Sequence, residues 1–245
     1  MIRGVIFDLG ATLIYTELDG RFESLFPRMD ADLLAYLQAQ GYALDDDEFI
    51  QRFAANFTAA DSLRQVPLAA EVLVKTLAEL GTPVAPQTVT GALRAYYAYS
   101  ESLWRPVPGL HETLGRLTAS GYKLAMISNA SDEGNVQRLI DGANLRPYFD
   151  PIIVSAAVGV RKPSPRIFEM VLEQWRLPAS ECVMVGDTLE ADILGAQVAG
   201  LHNVWITAHA DHPAANRARR GEIIPEAEMA ALTDLPALLE TGKGF

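Results

Sequence analysis

The stretch Pro106-Val-Pro-Gly-Leu-His-Glu-Thr-Leu-Gly-Arg-Leu-Thr-Ala-Ser-Gly-Tyr-Lys-Leu-Ala-Met-Ile-Ser-Asn129 decides the fold. Its Pro-Val-Pro-Gly109 opening breaks what precedes it. The residues that follow predict a helix over about 109–120 closed by Gly121, and Lys123-Leu-Ala-Met-Ile127 reads as a short apolar strand running into Ser128-Asn129. The same unit recurs downstream. A helix over about 132–142 precedes Ile152-Ile-Val154, one over about 164–175 precedes Val183-Met-Val185, and one over about 189–199, closed by Gly200, precedes Asn203-Val-Trp-Ile206. Helices alternating with all-apolar strands imply a parallel sheet covered on both faces. Upstream, residues 2–7 form one more apolar run, ending at Asp8 and followed by Gly10, a buried strand that delivers a carboxylate to a turn. The expected fold class is α/β, a doubly wound parallel sheet with a Rossmann-like core.

Between the first strand and Pro106 the texture differs. Residues 22–105 read as long helices separated by Gly41, Asp45-Asp46-Asp47, Pro67, Gly81-Thr-Pro83 and Pro86, with no convincing strand. The acidic triplet suits a helix N-terminus and Pro86 the first turn of another. The expected organisation is a core of residues 1–18 and 106–245 with an all-helical cap domain, residues 19–105, inserted after the first strand. A length of 245 residues, at about 150 residues per domain, fits one domain with an insertion.

Composition narrows the partners. Hydrophobic residues make up 49% and charged residues 21%, a globular balance, and 20 Lys plus Arg against 31 Asp plus Glu leave a net charge of -11. That charge repels a phosphate backbone, so nucleic acid is not expected as a partner. The single cysteine, Cys182, forms no intrachain disulfide and reads as a buried, inert thiol. No stretch approaches the roughly 20 apolar residues of a membrane span, and the N-terminus has no signal-peptide pattern, so no membrane association is expected and the expected compartment is the cytoplasm.

In such a sheet ligands bind beyond the carboxyl ends of the strands. The polar residues there are Asp8, Ser128-Asn129 and Gly186-Asp187, and Val160-Arg-Lys-Pro163 places Lys162 just before a helix. Two carboxylates, a hydroxyl, an ammonium and Gly-bearing turns at one sheet edge are the parts of a phosphoryl or acyl transfer site on Mg²⁺.

These segments resemble the motifs of the haloacid dehalogenase superfamily of hydrolases, in order and across the whole core. Phe7-Asp-Leu-Gly-Ala-Thr-Leu13 is similar to the first motif, Ile127-Ser-Asn-Ala130 to the second, Arg161-Lys-Pro163 to the third, and Gly186-Asp187 through Asp192 to the fourth. The resemblance implies a Mg²⁺-dependent phosphatase acting on a small phosphorylated molecule. Asp8 would be the nucleophile that forms an aspartyl intermediate. Ser128 and main-chain amides around Leu9, Gly10 and Asn129 would bind the transferring group, and Lys162 would neutralise charge and hold Asp8 ionised. Asp8, Asp187 and the Gly10 carbonyl would ligate the metal. Asp192 reads either as an additional acid at the metal or as a plain helix-start carboxylate.

One departure stands out. The family's phosphatases carry a second Asp two residues after the nucleophile, and here that position is Gly10, with Ala11 replacing the usual Gly. A general acid or base is worth about 10²- to 10⁴-fold in rate, so substrates with good leaving groups would suffer least. Two alternatives follow: a phosphate-binding or regulatory protein of weakened activity, and a metal-independent 2-haloacid dehalogenase, a branch that also lacks the second Asp. The fourth motif, in its metal-binding form, argues against dehalogenation. Lys75, the only insertion lysine, reads as a surface residue, which argues against the family's phosphonate cleavage by a cap lysine.

The resemblance also makes the insertion a lid, hinged near residues 16–20 and 100–106. Arg21, Arg52, Arg64, Arg94, Tyr96, Tyr97 and Tyr99 are candidates to line its cleft, each read more readily as a salt link or helix packing. Glu17 and Asp19 are nominated as replacement acids against a reading as solvated loop acids. His202, His209 and His212 read as a solvated loop rather than a metal site, Arg217, Arg219 and Arg220 as a solvated turn, and Trp205 as core.

Overall fold

The protein was analysed as a computed structural model that describes residues 1–18, 22–62, 66–209 and 213–242. Six strands, β1 (Gly4–Phe7), β4 (Lys123–Ser128), β5 (Ile152–Val154), β6 (Cys182–Gly186), β7 (His202–Ile206) and β8 (Ala227–Met229), form one sheet in the order β5-β4-β1-β6-β7-β8. Every pairing in it is parallel. The chain runs outward from β1 in both directions, so the carboxyl ends of β1, β4 and β6 meet at the point where strand order reverses, the place where such sheets bind ligands.

Both faces are covered, as the all-apolar strands require. Side chains alternate along β1: Val5 and Phe7 point to one cluster with Leu124, Met126, Val183 and Val185, while Ile6 joins Ala125, Ile127 and Met184 in another. The first cluster is closed by α5 (Leu110–Ala119), α6 (Glu133–Gly142) and α11 (Leu235–Thr241). The second is closed by α8 (Pro165–Trp175) and α9 (Gly195–Ala199).

Four helices occupy the stretch between β1 and β4. These are α1 (Phe26–Ala39), α2 (Asp46–Ser62), α3 (Ala69–Glu79) and α4 (Pro86–Glu101). Asp46, Asp47 and Glu48 fill the first turn of α2, Asp45 Oδ1 accepts from the Glu48 amide at 2.9 Å, and Pro86 opens α4. The four helices bury a cluster of their own, including Leu33, Leu37, Phe49, Phe53, Leu73, Leu77 and Leu93. The chain leaves and re-enters the sheet region through an antiparallel ribbon, β2 (Ile14–Tyr15) against β3 (Arg105–Pro106).

Three features differ from the sequence expectation. Residues 189–199 are not one α-helix: Leu189–Leu194 are π-helical and only Gly195–Ala199 are α-helical. The β2–β3 ribbon has two residues per strand, too few for any periodicity. The sheet also gains β8, preceded by α10 (Pro213–Arg219), because Ala-Glu-Met229 lies at the edge with its Glu exposed and shows no apolar run. Two single-turn elements, α7 (Ser155–Val158) and the turn at Arg146–Tyr148, are likewise too short to read. Among the described residues no helix is long and apolar enough to cross a membrane.

Gly4 shows how tightly the sheet meets α8. A Cβ there would stand 2.4 Å from the Trp175 ring and 3.0 Å from the Cys182 sulfur. The ring cannot retreat easily, since its Nε1 donates to the Asp150 carbonyl at 2.7 Å. Gly4→Ala is expected to destabilise the protein by about 1–3 kcal/mol in urea unfolding; an unchanged midpoint would contradict this packing.

Candidate active site

Asp8 leaves the end of β1 with its amide donating to the Val185 carbonyl at 3.0 Å, which extends the β1–β6 pairing one residue beyond the strand. Its side chain is 13% exposed. Lys162 reaches it from the loop before α8: Nζ donates to Asp8 Oδ1 at 2.5 Å and to the Ile127 carbonyl at 3.0 Å. The same Nζ lies 2.7 Å from Asp192 Oδ1, a close ion pair whose geometry is out of line for a hydrogen bond. Asn129 sets this reach. Its Nδ2 donates to the Lys162 carbonyl and its Oδ1 accepts from the Lys162 amide, both at 2.9 Å. Ser155 does the same for the neighbouring turn, exchanging hydrogen bonds with the Ala130 main chain at 2.9 and 3.0 Å.

Beyond β6 the chain turns at Gly186-Asp187. Asp192, on the π-helical turn, folds back so that its Oδ2 accepts from the Thr188 amide at 2.9 Å. Only glycine fits beneath it, since a Cβ at position 186 would lie 2.3–2.5 Å from the Asp192 side chain. The Asp187 carbonyl accepts from Trp205 Nε1 at 2.7 Å and from Asn216 Nδ2 at 2.9 Å, and Asn216 Oδ1 takes the Leu189 amide at 2.9 Å. Neither Trp205 nor Asn216 was legible as a site residue: Trp205 reads as core, which it also is, and Asn216 lies 29 residues from Asp187 in a segment without a strong pattern.

Asp8, Asp187 and Asp192 therefore converge, each offering an oxygen within 4.8 Å of the others. Together with Leu9, Gly10, Ser128, Asn129 and Lys162 they line a cavity of about 350 Å³. Every sequence-predicted site residue lies in this one place. Two expectations change in detail. The Asn129 carboxamide is spent on Lys162, so it positions the lysine. Lys162 acts to keep Asp8 ionised, but burial, reinforced by Asp192, works against it and pushes the carboxyl up to about 6. Burial alone would lower Lys162, but Asp192 and Asp8 outweigh it and raise the ammonium above its ordinary value.

Two buried carboxylates and the partly buried Asp8, set against one ammonium, leave an excess of two negative charges when all three are ionised. An all-oxygen donor set with that excess suits a hard divalent cation such as Mg²⁺. Asp192 is the least available of the three, with one oxygen on Lys162 and the other on Thr188.

A second cavity, of about 530 Å³, adjoins the first and shares Phe22, Asn129, Ala130 and Asn135 with it. Its far wall comes from α1, α2 and α4, including Tyr96 and Tyr97. Tyr99 instead is exposed and lies under Arg28, Arg52 pairs with Glu48 and Glu79, and Lys75 is a surface residue near Glu79. Arg21, Arg64, Asp19 and His212 lie outside the described residues. Glu17 is exposed. His202 pairs with Glu226 at 2.7 Å and His209 stacks on Tyr15, so the two histidines serve separate contacts. Arg217 and Arg219 sit on α10 rather than in a turn, and Arg220 covers the Trp205 ring. Cys182 is fully buried, its thiol pushed up to about 11 by burial.

Two outcomes are expected. Asn216→Ala leaves the buried Leu189 amide without a partner and removes one of the two donors to the Asp187 carbonyl, and should cost about 1–3 kcal/mol in denaturant unfolding; no loss would contradict its bracing role. Asp30, half-buried on the wall of the second cavity, is pushed up to about 6 by burial. A raised carboxyl disfavours the ionised folded state, so stability from this group is lost as pH rises from about 4 through 6. After allowance for solvent screening, Asp30→Asn should gain about 1 kcal/mol at pH 7.5 and nothing at pH 4. Equal gains at both pH values would contradict this origin.

The chain is similar to characterised enzymes along most of its length. Glyceraldehyde 3-phosphate phosphatase of Pyrococcus abyssi is 28% identical, over 84% of this chain and 81% of the relative. Phosphoserine phosphatase of Thermus thermophilus is 26% identical, over 83% and 81%. The crystal structure of 2-haloacid dehalogenase from Pseudomonas syringae superposes with a TM-score of 0.73 at 25% identity, over 99% of this chain and all of the other. The model of the haloacid dehalogenase-like hydrolase family matches residues 2–200. The parallel sheet, the polar residues at its reversal point and this match across most of the chain lead to one conclusion: the protein belongs to the haloacid dehalogenase-like hydrolases, and it is a hydrolase.

Proposed function

We propose that the protein is a Mg²⁺-dependent phosphatase of a small phosphorylated metabolite, with Asp8 as nucleophile. The observation that carries this reading is the convergence of Asp8, Asp187 and Lys162 in one cavity of about 350 Å³ at the strand reversal. Lys162 holds Asp8 Oδ1 and leaves Oδ2 to attack phosphorus; the bond from phosphorus to the leaving oxygen breaks, giving an aspartyl phosphate. Water then attacks that phosphorus and the bond to Asp8 breaks, restoring the carboxylate. Ser128 and main-chain amides at Leu9, Gly10 and Asn129 bind the transferring oxygens, and Lys162 compensates their charge. Asp8, Asp187 and the Gly10 carbonyl would hold Mg²⁺, with Asp192 holding Lys162 rather than the metal. When bound, Mg²⁺ offsets the repulsion between carboxylates and phosphate.

Gly10 supplies no proton to the leaving oxygen. The first cavity's described carboxylates are Asp8, Asp187 and Asp192, all of them used. Leaving groups that depart as stable anions, such as carboxylates from acyl phosphates, are therefore favoured. Helices α1–α4 act in this reading as a cap, residues 19–105, over a core of 1–18 and 106–245. The Ala69 amide on the Ser131 carbonyl, at 2.8 Å, and Glu101 on Arg138, at 2.8 Å, hold the two together. Closure excludes water and restricts the site to small substrates.

A second reading is favoured by the likeness to the 2-haloacid dehalogenase and by Gly10. A halide leaves without a proton, so Asp8 would attack carbon and no metal would be needed.

Purified protein should hydrolyse acetyl phosphate only with Mg²⁺, and Asp8→Asn should abolish this. Activity unaffected by that substitution sinks the proposal, and chloride released from 2-chloropropionate without metal establishes the dehalogenase reading. Gly10→Asp should accelerate alkyl phosphate hydrolysis about 10²-fold or more, with a smaller gain for acetyl phosphate. Equal gains for both would show that protonation is not the missing step.

A further inference from the structure

The second cavity is not used by the phosphoryl chemistry, and its lining is unusual. Phe22, Phe26, Phe53, Phe57, Tyr96 and Tyr97 line it, and among these rings α1 places one carboxylate, Asp30. No Lys or Arg among the described residues lines the cavity, and Asp30 has no hydrogen-bond or ion-pair partner among them. A second acceptor lines the same cavity: the Asn135 side-chain oxygen, on the wall shared by both cavities, is buried without a hydrogen-bond partner among the described residues. An acceptor withdrawn from water without a partner is costly, and a donor bound in the cavity would relieve that cost.

The rings limit what that ligand is. Phe22 with Phe26, Phe53 with Phe57, Phe53 with Tyr96, and Tyr96 with Tyr97 all pack edge to face, at 81° to 89°. The wall therefore turns at each pair and encloses a volume. It does not offer the two parallel faces that sandwich a flat base. Ring faces and unpaired acceptors both attract positive charge, and the acceptors call for N–H donors.

We propose that this cavity is the leaving-group subsite and that it binds a protonated amine carried on an apolar body, with Asp30 pairing the ammonium and Asn135 accepting one of its N–H groups. This inference rests on the phosphatase reading for the position of the phosphate, at Asp8, and adds the class of substrate: phosphates whose leaving group departs as a stable anion and carries an amine on an apolar body. Asp30 is a specificity residue that touches the leaving group. It lines the second cavity and not the first, so it does not reach the reacting phosphorus.

The test compares 4-(2-aminoethyl)phenyl phosphate, whose leaving group departs as a stabilised phenolate, with its neutral isostere 4-propylphenyl phosphate, in which a methyl replaces the ammonium. The amine is expected to be preferred in kcat/KM by about ten- to a hundred-fold, as for a charge-assisted contact in a partly dry site. The preference should collapse toward unity in Asp30→Asn and fall in Asn135→Leu. Because each variant is read as a ratio between two esters, a general loss of folding or activity does not imitate the result. Binding of both esters to Asp8→Asn, followed by calorimetry, reads the same contact without turnover.

No preference for the amine, or a preference that survives Asp30→Asn, overturns the inference. So does an equal fall in turnover of both esters in Asp30→Asn, which would make Asp30 a proton donor instead. Acetyl phosphate hydrolysis with no amine selectivity overturns this subsite alone. Amine-selective binding with no phosphate hydrolysed overturns the proposed reaction and leaves the subsite standing.

Discussion

The site depends on one buried ammonium. Lys162 stands between Asp8 and Asp192 with 1% of its side chain exposed, and each partner belongs to a different strand end. Removing one member of such a buried group costs about 3–5 kcal/mol, because the remaining charges are left unpaired in a poorly solvated place. The surrounding structure is arranged to keep the ammonium there. Asn129 clamps its main chain, Gly186 clears the space that Asp192 occupies, and Thr188 fixes the second Asp192 oxygen. The carboxylates still outnumber it, an excess of negative charge that suits a divalent cation.

The departure in the first motif has a local structural signature. Gly10 lines the cavity without contributing a side chain, and Ala11 follows in the left-handed region at φ 53° while fully buried. A non-glycine residue there is strained by about 1–2 kcal/mol. The turn after Asp8 thus presents only backbone at position 10 to the cavity. The aromatic cavity under α1, α2 and α4 adjoins it and takes most of its lining from residues outside the motifs.

Much of the fold was legible because the strands are buried on both faces. Apolar runs such as Ile152-Ile-Val154 and Val183-Met-Val185 need no partner to be recognised, and Gly121 and Gly200 mark helix ends through positive φ. Elements without a repeating pattern were not legible. The β2–β3 ribbon, β8 and the π-helical turn owe their form to neighbours: pairing across the crossing, an open sheet edge beside β7, and the need to swing Asp192 back under Lys162.

The sequence by itself determined the order of strands and helices, the helical stretch between the first two strands of the core, and the polar residues Asp8, Ser128, Lys162 and Asp187 at the strand ends. Local spacing carries that information, since burial of a strand and capping of a helix are decided within a few residues. Tertiary structure alone decided that Asn129 holds Lys162, that Trp205 and Asn216 brace Asp187, that burial outweighs Lys162 at Asp8, and that Asp30 faces a cavity of rings. Each of these depends on contacts across tens of residues and on loss of solvent, which no local pattern records.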